Sequence, residues 1–278
     1  MKKDHPITRL CAVMAVSRSG YHAQAAGRRN IRERRDDALR PKLRAAFDAS
    51  RQTYGYPRMT VELRDQHEQV GKVRVARLRK EEGLCGRPLK RYRPQTTQSD
   101  HDDPITPNRL AEIQTITARD QVWQTDITYL PTAAGWLYLA VVIDACSKRV
   151  LGWAMGATLD TAVPLAALMM ALRQRKPSPG LIHHSDRGVQ YASADYRGAL
   201  ADHGLVAFMS RRGNCYDNAA MEAFWSSLKN EHVHRRRFAT RADARTAIFD
   251  YIESFYNRSR RHSSLGYQSP LDYESSLS

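Results

Sequence analysis

The sequence of 278 residues has little of what defines several protein classes. Its 15 glycines and 12 prolines are too few for a collagen-like or low-complexity chain. The longest apolar run, residues 162–172, is interrupted by Pro164 and is about half the ~20 residues that a membrane-spanning helix needs. No Cys-x-x-Cys pair is present, which argues against a disulfide scaffold or a cysteine-rich zinc site. The four cysteines stand far apart, at Cys11, Cys85, Cys146 and Cys215. We therefore expect a cytoplasmic protein with no membrane partner and no structural zinc.

Positive charge is in excess, and the excess is confined to the first third of the chain. The whole sequence has a formal net charge of +15 and 42% hydrophobic residues, enough for a core. Residues 1–99 contain 24 basic and 10 acidic residues, whereas residues 100–278 contain 20 and 19. A polycationic segment joined to a nearly neutral body indicates a polyanionic partner, and nucleic acid is the commonest. A highly charged, solvated helical surface is the alternative.

The basic third of the chain predicts helices. Residues 1–50 are expected to form a basic N-terminal helical region, and residues 51–85 two short helices separated by Gly71. Pro57 suits the first turn of the first helix, and Gly83 suits the end of the second. Two short helices with a glycine in the turn indicate a helix-turn-helix-like DNA-binding unit, with a plain helical hairpin as the alternative. The DNA contacts expected in its second helix are Lys72, Arg74 and Arg77.

The remaining sequence predicts a linker followed by an α/β domain. Residues 86–117 are basic or polar and contain several prolines, whereas residues 118–278 alternate apolar, β-branched runs with helical patterns. Three neighbouring strands followed by alternating strands and helices indicate a mixed five-stranded sheet flanked by helices. The predicted strands are 122–130, 136–143, 149–155, 181–185 and 205–209, and the predicted helices are 161–175, 192–203, 218–231 and 241–257.

Three acidic residues occupy positions where a surface role is not expected. Asp126 interrupts an apolar strand, and Asp186 follows a strand at its carboxyl end, where α/β sheets place ligand sites. Glu222 lies just inside a predicted helix, on the same side as Asn218 and Lys229. Buried carboxylates repel each other unless a cation neutralises them, and two Mg²⁺ or Mn²⁺ ions suit phosphodiester chemistry. From spacing alone, Asp126 as a turn or capping residue remains an alternative.

The residues around these carboxylates form three ordered blocks. They are Trp123-x-x-Asp126-Ile127-Thr128-Tyr129, then His184-Ser185-Asp186-Arg187-Gly188-x-Gln190-Tyr191, then Asn214-Cys215-Tyr216-Asp217-Asn218-Ala219-x-x-Glu222. With 35 residues between the second Asp and the Glu, these blocks resemble those of the DDE transposases that have a retroviral-integrase-like core. The stretches 135–144 and 256–270 narrow the resemblance to the OrfB product of the insertion-sequence-three family. Residues 16–21 and 54–58 also look like that family's opening regions, so the resemblance covers nearly the whole chain.

The resemblance implies a fold, a site and a reaction. The fold is an RNase H-like core at residues 118–278, and Asp126, Asp186 and Glu222 would be its metal triad, with two Mg²⁺ or Mn²⁺ ions per active site. The reaction is nicking at element ends followed by attack of the freed 3′-hydroxyl on another phosphodiester, in copy-out–paste-in transposition. A catalytically silent DNA-binding regulator and an RNase H-like nuclease without strand transfer are the alternatives.

The same resemblance implies partners. They are DNA at the element ends and at the target, at least one further protomer, and an OrfA partner or upstream fusion in a nucleoid-associated complex. Asp144 is a rival carboxylate, as a turn residue or a group behind the ligands. His183 and His184 are adjacent on a strand and point to opposite faces, so they are not expected to hold one ion. The DNA contacts expected around the core are Lys148, Arg149, Arg211, Arg212, Asn218, Lys229, Arg260 and His262.

Overall fold

The computed structural model describes residues 5–27, 30–86, 116–186, 188–209 and 219–277. The chain divides into two compact units, one within residues 1–87 and one within residues 88–278. Among the described residues, no helix combines the length and the apolar character needed to cross a bilayer.

The first unit is helical. Its longest helix, α3, starts at a capping box in which Asn30 and Glu33 exchange backbone and side-chain hydrogen bonds. Helix α3 packs against both α4 and α5, so the boundary expected at residue 50 falls inside one helical unit. Pro57 lies in the first turn of α4, and Gly83 adopts a φ of +65° after α5, as predicted. The helices are α1 (Ile7–Val13), α2 (Arg18–Ala25), α3 (Ile31–Ala49), α4 (Tyr56–Asp65) and α5 (Lys72–Glu81).

The second unit is built on a five-stranded mixed sheet with the order β3-β2-β1-β4-β5. Strands β1, β2 and β3 are antiparallel neighbours, whereas β4 runs parallel to both β1 and β5. This arrangement confirms the fold class predicted from the sequence. The strands are β1 (Val122–Thr132), β2 (Gly135–Asp144), β3 (Val150–Gly156), β4 (Ile182–Ser185) and β5 (Val206–Met209). The helices are α6 (Ala162–Arg175), α7 (Val189–Ala192), α8 (Ala194–Asp202), α9 (Ala219–Glu231), α10 (Arg241–Phe249) and α11 (Pro270–Ser276).

Helices cover both faces of this sheet because its central strands bury side chains on both sides. Trp123, Ala140 and Val142 share one buried cluster with the apolar side of α6. The backbone of α6 comes so close to β3 that a Cβ at Gly152 would lie 2.1 Å from the carbonyl oxygen of Ala167. Only glycine fits there. Helices α9 and α10 contact β1, and α10 also contacts β2.

The helices after β4 differ in detail from those expected. The helix predicted at 192–203 is two helices, α7 and α8, because the Ser193 side chain caps a new start by accepting from the Tyr196 amide at 3.3 Å. The helix predicted at 241–257 is α10 followed by a π-helical segment, Asp250–Tyr256. Two short 3₁₀ turns, Val233–Arg235 and Ser263–Leu265, and the terminal helix α11 were not predicted.

The edge strand β3 is paired with a side chain on its outer side. The Val150 amide donates to Asn257 Oδ1 at 2.9 Å, and Asn257 Nδ2 donates to the Val150 carbonyl oxygen at 2.9 Å. Asn257 directly follows the π-helical segment. This pair of hydrogen bonds therefore ties the C-terminal segment, residues 257–277, to the sheet.

Candidate active site

Two of the predicted carboxylates lie at equivalent positions along the neighbouring parallel strands β1 and β4. Strands β1 and β4 are in register up to the pair Gln124 and His184. Asp126 and Asp186 each lie two residues beyond that pair, on neighbouring chain segments. Strand β1 continues past this point while β4 ends, so on the side that faces β4 no described strand pairs with β1 at Asp126, whereas β2 pairs with it on the other side. The carboxyl ends of parallel strands are the usual place for a ligand site.

The electrostatics show that the two carboxylates interact. Burial, and after it the charge of Asp186, raises the pKa of Asp126 from 3.8 to about 7. Opposing that shift, Trp225 Nε1 donates to Asp126 Oδ2 at 2.8 Å, and the Ile127 amide donates to Oδ1 at 2.8 Å. The positive charge of Lys229 acts in the same direction as these donors. Part of the surface of Asp126 remains exposed, so a ligand has access to it.

The raised pKa of Asp126 predicts that the contribution of this carboxyl to the free energy of unfolding falls as the pH rises. The folded protein binds this proton more tightly than the unfolded chain, whose pKa is near 3.8, so ionisation favours unfolding. Because other buried groups such as His183 also titrate in this range, the contribution of Asp126 is the difference between the wild type and Asp126→Asn. We expect the unfolding free energy of the metal-free wild type to fall relative to that of Asp126→Asn by up to about 4 kcal/mol between about pH 4 and pH 7. Urea unfolding in a chelating buffer at several pH values measures this slope. An Asp126→Asn variant with the same slope as the wild type would contradict the assignment.

Asp186 is held by the turn that follows it. The Gly188 amide donates to Asp186 Oδ1 at 2.9 Å. A Cβ at residue 188 would lie 3.0 Å from that same oxygen, which is tighter than ordinary contacts. Glycine at this position therefore lets the backbone amide approach the carboxylate and fix its orientation.

Helix α9 faces the pair with one side. Trp225 bonds to Asp126, and the charge of Lys229 acts on the same carboxyl. Lys229 is half-buried, and burial lowers the pKa of its ammonium group while the charge of Asp126 opposes that shift. Glu222 lies three residues before Trp225 and seven before Lys229, so it shares their side of the helix. Its side chain is exposed. The described residues contain no group of three His, Cys, Asp or Glu side chains close enough to hold an ion.

The paired carboxylates fit a hard divalent cation. Oxygen ligands are what Mg²⁺ and Mn²⁺ prefer, and a cation between two carboxylates removes the repulsion that raises the pKa of Asp126. The structure thus places Asp126 and Asp186 together, while Glu222 is near them only by its helix face. Trp225 was not predicted as a site residue. Its position one helical turn after Glu222, with an indole donor on the same side of the helix, was the available signal.

Neighbouring polar residues have structural roles. Asp144 is buried, and its carboxylate accepts hydrogen bonds from the amides of Ser147 at 2.7 Å and Asp120 at 2.8 Å. These donors make it a turn residue between β2 and β3, one of the two alternatives considered. His183 lies 3.1 Å from the Tyr196 hydroxyl, and burial lowers the pKa of its ring to about 3. The His183 ring is thus buried and has a partner, Tyr196, inside the core.

Two of the three residues expected to contact DNA in the first unit form ion pairs within that unit. Arg74 Nε donates to Asp36 at 2.7 Å, and Arg77 also donates to the buried Asp36 and to Glu81. Both guanidinium groups therefore pair with Asp36 on α3, and Arg77 also pairs with Glu81 on α5, while about a third of each side chain stays exposed. Arg74 and Arg77 remain predicted contacts. Lys72 is exposed in the first turn of α5 and remains a predicted contact.

The residues expected to contact DNA around the core fall into two groups: those engaged within the protein and those that remain predicted contacts. Arg149 donates to the buried Glu274 at 2.6 Å, and Lys148 donates to the Ala145 carbonyl oxygen. Arg260 and His262 are buried and contact each other at 3.2 Å, so both side chains are engaged within the protein in this structure. Lys229 remains a predicted contact, because it lies partly open beside the carboxylates. Arg211, Arg212 and Asn218 lie outside the described residues.

Comparison with known proteins agrees with this architecture. Two integrase core domain family models match residues 116–215 and 203–270, and an HTH-like domain model matches residues 34–92. Among solved structures, the catalytic core domain of BIV integrase aligns with a TM-score of 0.43 and 14% identity, over 57% of this chain and 95% of that one. The family models identify this chain as a protein with an integrase core domain and an HTH-like domain.

Relatives over nearly the full length identify the family. The "uncharacterized 31 kDa protein" of insertion element IS600 from Shigella sonnei is 45% identical over 264 residues, which are 95% of this chain and 97% of that protein. Transposase InsF for insertion sequence IS3A from Escherichia coli K12 is 41% identical over 276 residues, 98% of this chain and 94% of the relative. The chain belongs to the IS3 family of transposases.

Proposed function

We propose that this transposase nicks DNA at the ends of its element and joins the freed 3′-hydroxyl to another phosphodiester, with Asp126, Asp186 and Glu222 as ligands of a divalent ion. The observation that supports this most is the Asp126–Asp186 pair at the ends of β1 and β4. A partly buried carboxyl whose pKa is raised to about 7 beside a second carboxylate is unfavourable without a cation. Such pairs are concentrated at functional sites.

Each residue has a defined part in this proposal. Asp126 and Asp186 hold Mg²⁺ or Mn²⁺ through oxygens oriented by Trp225 and Gly188. Glu222 adds the third carboxylate, because it shares the side of α9 that faces Asp126. When bound, two divalent ions per active site stabilise the charge on the attacking and leaving oxygens of phosphoryl transfer.

Lys229 is proposed to contact a phosphate next to the carboxylates. We expect Lys229→Ala to weaken DNA binding and to reduce the salt dependence of the affinity by about one unit of slope, since one phosphate contact is lost. Fluorescence anisotropy with labelled element-end DNA at several salt concentrations measures both quantities.

The matched control for this change is Arg173→Ala. Arg173 is an exposed cation near the end of α6, which packs on the other face of the sheet from α9. We expect the control to keep the wild-type slope. An unchanged slope in Lys229→Ala would exclude a phosphate contact at this position.

The proposed partners follow from the reaction. Two element ends require at least two protomers in the active complex, and an OrfA-type product supplies end recognition either separately or as an upstream fusion. Lys72 on the exposed side of α5 is proposed to contact DNA in the HTH-like unit.

One experiment separates this function from its two alternatives. A pre-nicked DNA that carries the inverted repeat flanking the gene is incubated with the protein, a target DNA and Mg²⁺. Joined product supports the proposed function. Cleavage without joining indicates a nuclease, and DNA binding without either indicates a regulator.

A further inference from the structure

Arg260 is a buried arginine whose guanidinium nitrogens all contact protein groups. Only 4% of its surface is exposed. Nε donates to Glu231 Oε2 at 2.7 Å, and Nη2 donates to Glu231 Oε1 at 2.6 Å and to Ser227 Oγ at 2.8 Å. Nη1 lies 3.2 Å from His262 Nε2. We call Arg260, Glu231, Ser227 and His262 the Arg260 bridge.

The Arg260 bridge connects two parts of the fold that are distant in sequence. Ser227 and Glu231 lie one turn apart on α9, whereas Arg260 and His262 belong to the C-terminal segment after the π-helical turn. Tyr251 from that turn also donates to Glu231 Oε2, at 3.0 Å. The same segment is fixed to the sheet by the paired hydrogen bonds between Asn257 and Val150. The bridge therefore attaches α9 to the sheet through the C-terminal segment.

We expect the Arg260 bridge to contribute more to the orientation of α9 than to the stability of the fold. A buried ion pair adds little net stability compared with apolar side chains of the same volume, since both ions lose their hydration. The planar guanidinium, however, fixes a carboxylate and a hydroxyl in one orientation, which an ammonium group cannot do. Glu231 lies two residues after Lys229, and Ser227 two residues after Trp225, so the bridge sets the rotation of the helix that presents these side chains.

We propose that Arg260 is a positioning residue for strand transfer. By fixing Ser227 and Glu231 it determines where α9 presents Glu222 to Asp126 and Asp186. The inference rests on the ligand role proposed for Glu222. It also explains why a basic residue in this part of the sequence is buried instead of facing DNA.

The test must separate positioning from stability. In the double variant Arg260→Met with Glu231→Gln, both charges are removed together, and the glutamine oxygen still accepts from Tyr251. No unpaired buried charge remains, so the fold is retained. Arg260→Lys is the second variant, because it keeps the charge paired while losing the planar fork. Arg258→Met is the matched control, since Arg258 is exposed in the same segment.

Three measurements are made on each protein: hydrogen exchange of the α9 amides, the Mg²⁺ concentration for half-maximal joining of pre-nicked DNA, and the dissociation constant for DNA. In the double variant we expect faster exchange in α9 only and a half-maximal Mg²⁺ concentration raised about tenfold, with unchanged DNA affinity. We expect Arg260→Lys to change α9 exchange and the half-maximal Mg²⁺ concentration in the same direction. Arg258→Met should match the wild type.

Wild-type α9 exchange and wild-type Mg²⁺ dependence in the double variant would overturn the proposal, as would full wild-type behaviour of Arg260→Lys. If the wild type itself joins no DNA, the proposed function fails. The role of Arg260 in strand transfer then fails with it, and hydrogen exchange tests only whether Arg260 fixes α9: faster exchange confined to α9 supports that part, and unchanged exchange refutes it.

Discussion

Replacing Glu222 with glutamine is expected to reduce strand joining by about a thousandfold while leaving DNA affinity unchanged. The exposed position of Glu222 on α9 means that the amide costs little stability. The amide keeps the size of the side chain but removes the charge that a divalent ion requires of its third ligand. Joining of pre-nicked element-end DNA in Mg²⁺ measures the rate, and anisotropy measures the affinity.

Asp202→Asn is the control for this substitution. Asp202 is an exposed acid at the end of α8, and its replacement changes the net charge by the same one unit. Joining by the control should equal that of the wild type. A Glu222→Gln protein that joins DNA at the wild-type rate would remove Glu222 from the proposed triad.

Replacing Asp186 with asparagine is expected to abolish joining and at the same time to raise the thermal midpoint of the metal-free protein by roughly 3 to 6 °C. In the wild type the Gly188 amide lies 2.9 Å from Asp186 Oδ1, and the asparagine oxygen accepts the same hydrogen bond. Its NH₂ group replaces a charge that repels Asp126 and raises the pKa of that carboxyl. Differential scanning calorimetry in a chelating buffer measures the midpoint.

The effect of added Mg²⁺ on the thermal midpoint tests whether Asp186 holds an ion. Because a ligand that binds only the folded state stabilises it, Mg²⁺ should raise the midpoint of the wild type and of Asp202→Asn, but not that of Asp186→Asn. Equal stabilisation of all three proteins by Mg²⁺ would show that Asp186 holds no ion. A lower midpoint for Asp186→Asn without metal would show that the two carboxylates do not repel each other in the folded protein.

The sheet was predictable because its strands have strong local signals. The runs 122–130 and 136–143 are β-branched and aromatic, and the five predicted strands match β1 to β5 within two residues at each end. The alignment of Asp126 with Asp186 follows from the register of the parallel strands β1 and β4. That pairing is non-local, so the sequence indicated the two carboxylates only through the motif around each of them.

The roles of several basic residues were not predictable, because they depend on partners far along the chain. Arg74 pairs with Asp36, 38 residues away, and Arg260 pairs with Glu231, 29 residues away. In the sequence both arginines look like surface cations of a DNA-binding protein. Only the packing of α3 on α5, and of α9 on the C-terminal segment, reveals that their charges are neutralised within the protein.

The hydrogen bonds between Asn257 and Val150 have a consequence for assembly. A sheet normally grows by adding a strand from another molecule at an exposed edge, and a polar side chain that already occupies the main-chain groups there prevents such growth. Copies of this transposase therefore cannot associate by extending the sheet at Val150. If the proposed complex of two protomers forms, the contacts between the protomers do not include a strand added at Val150.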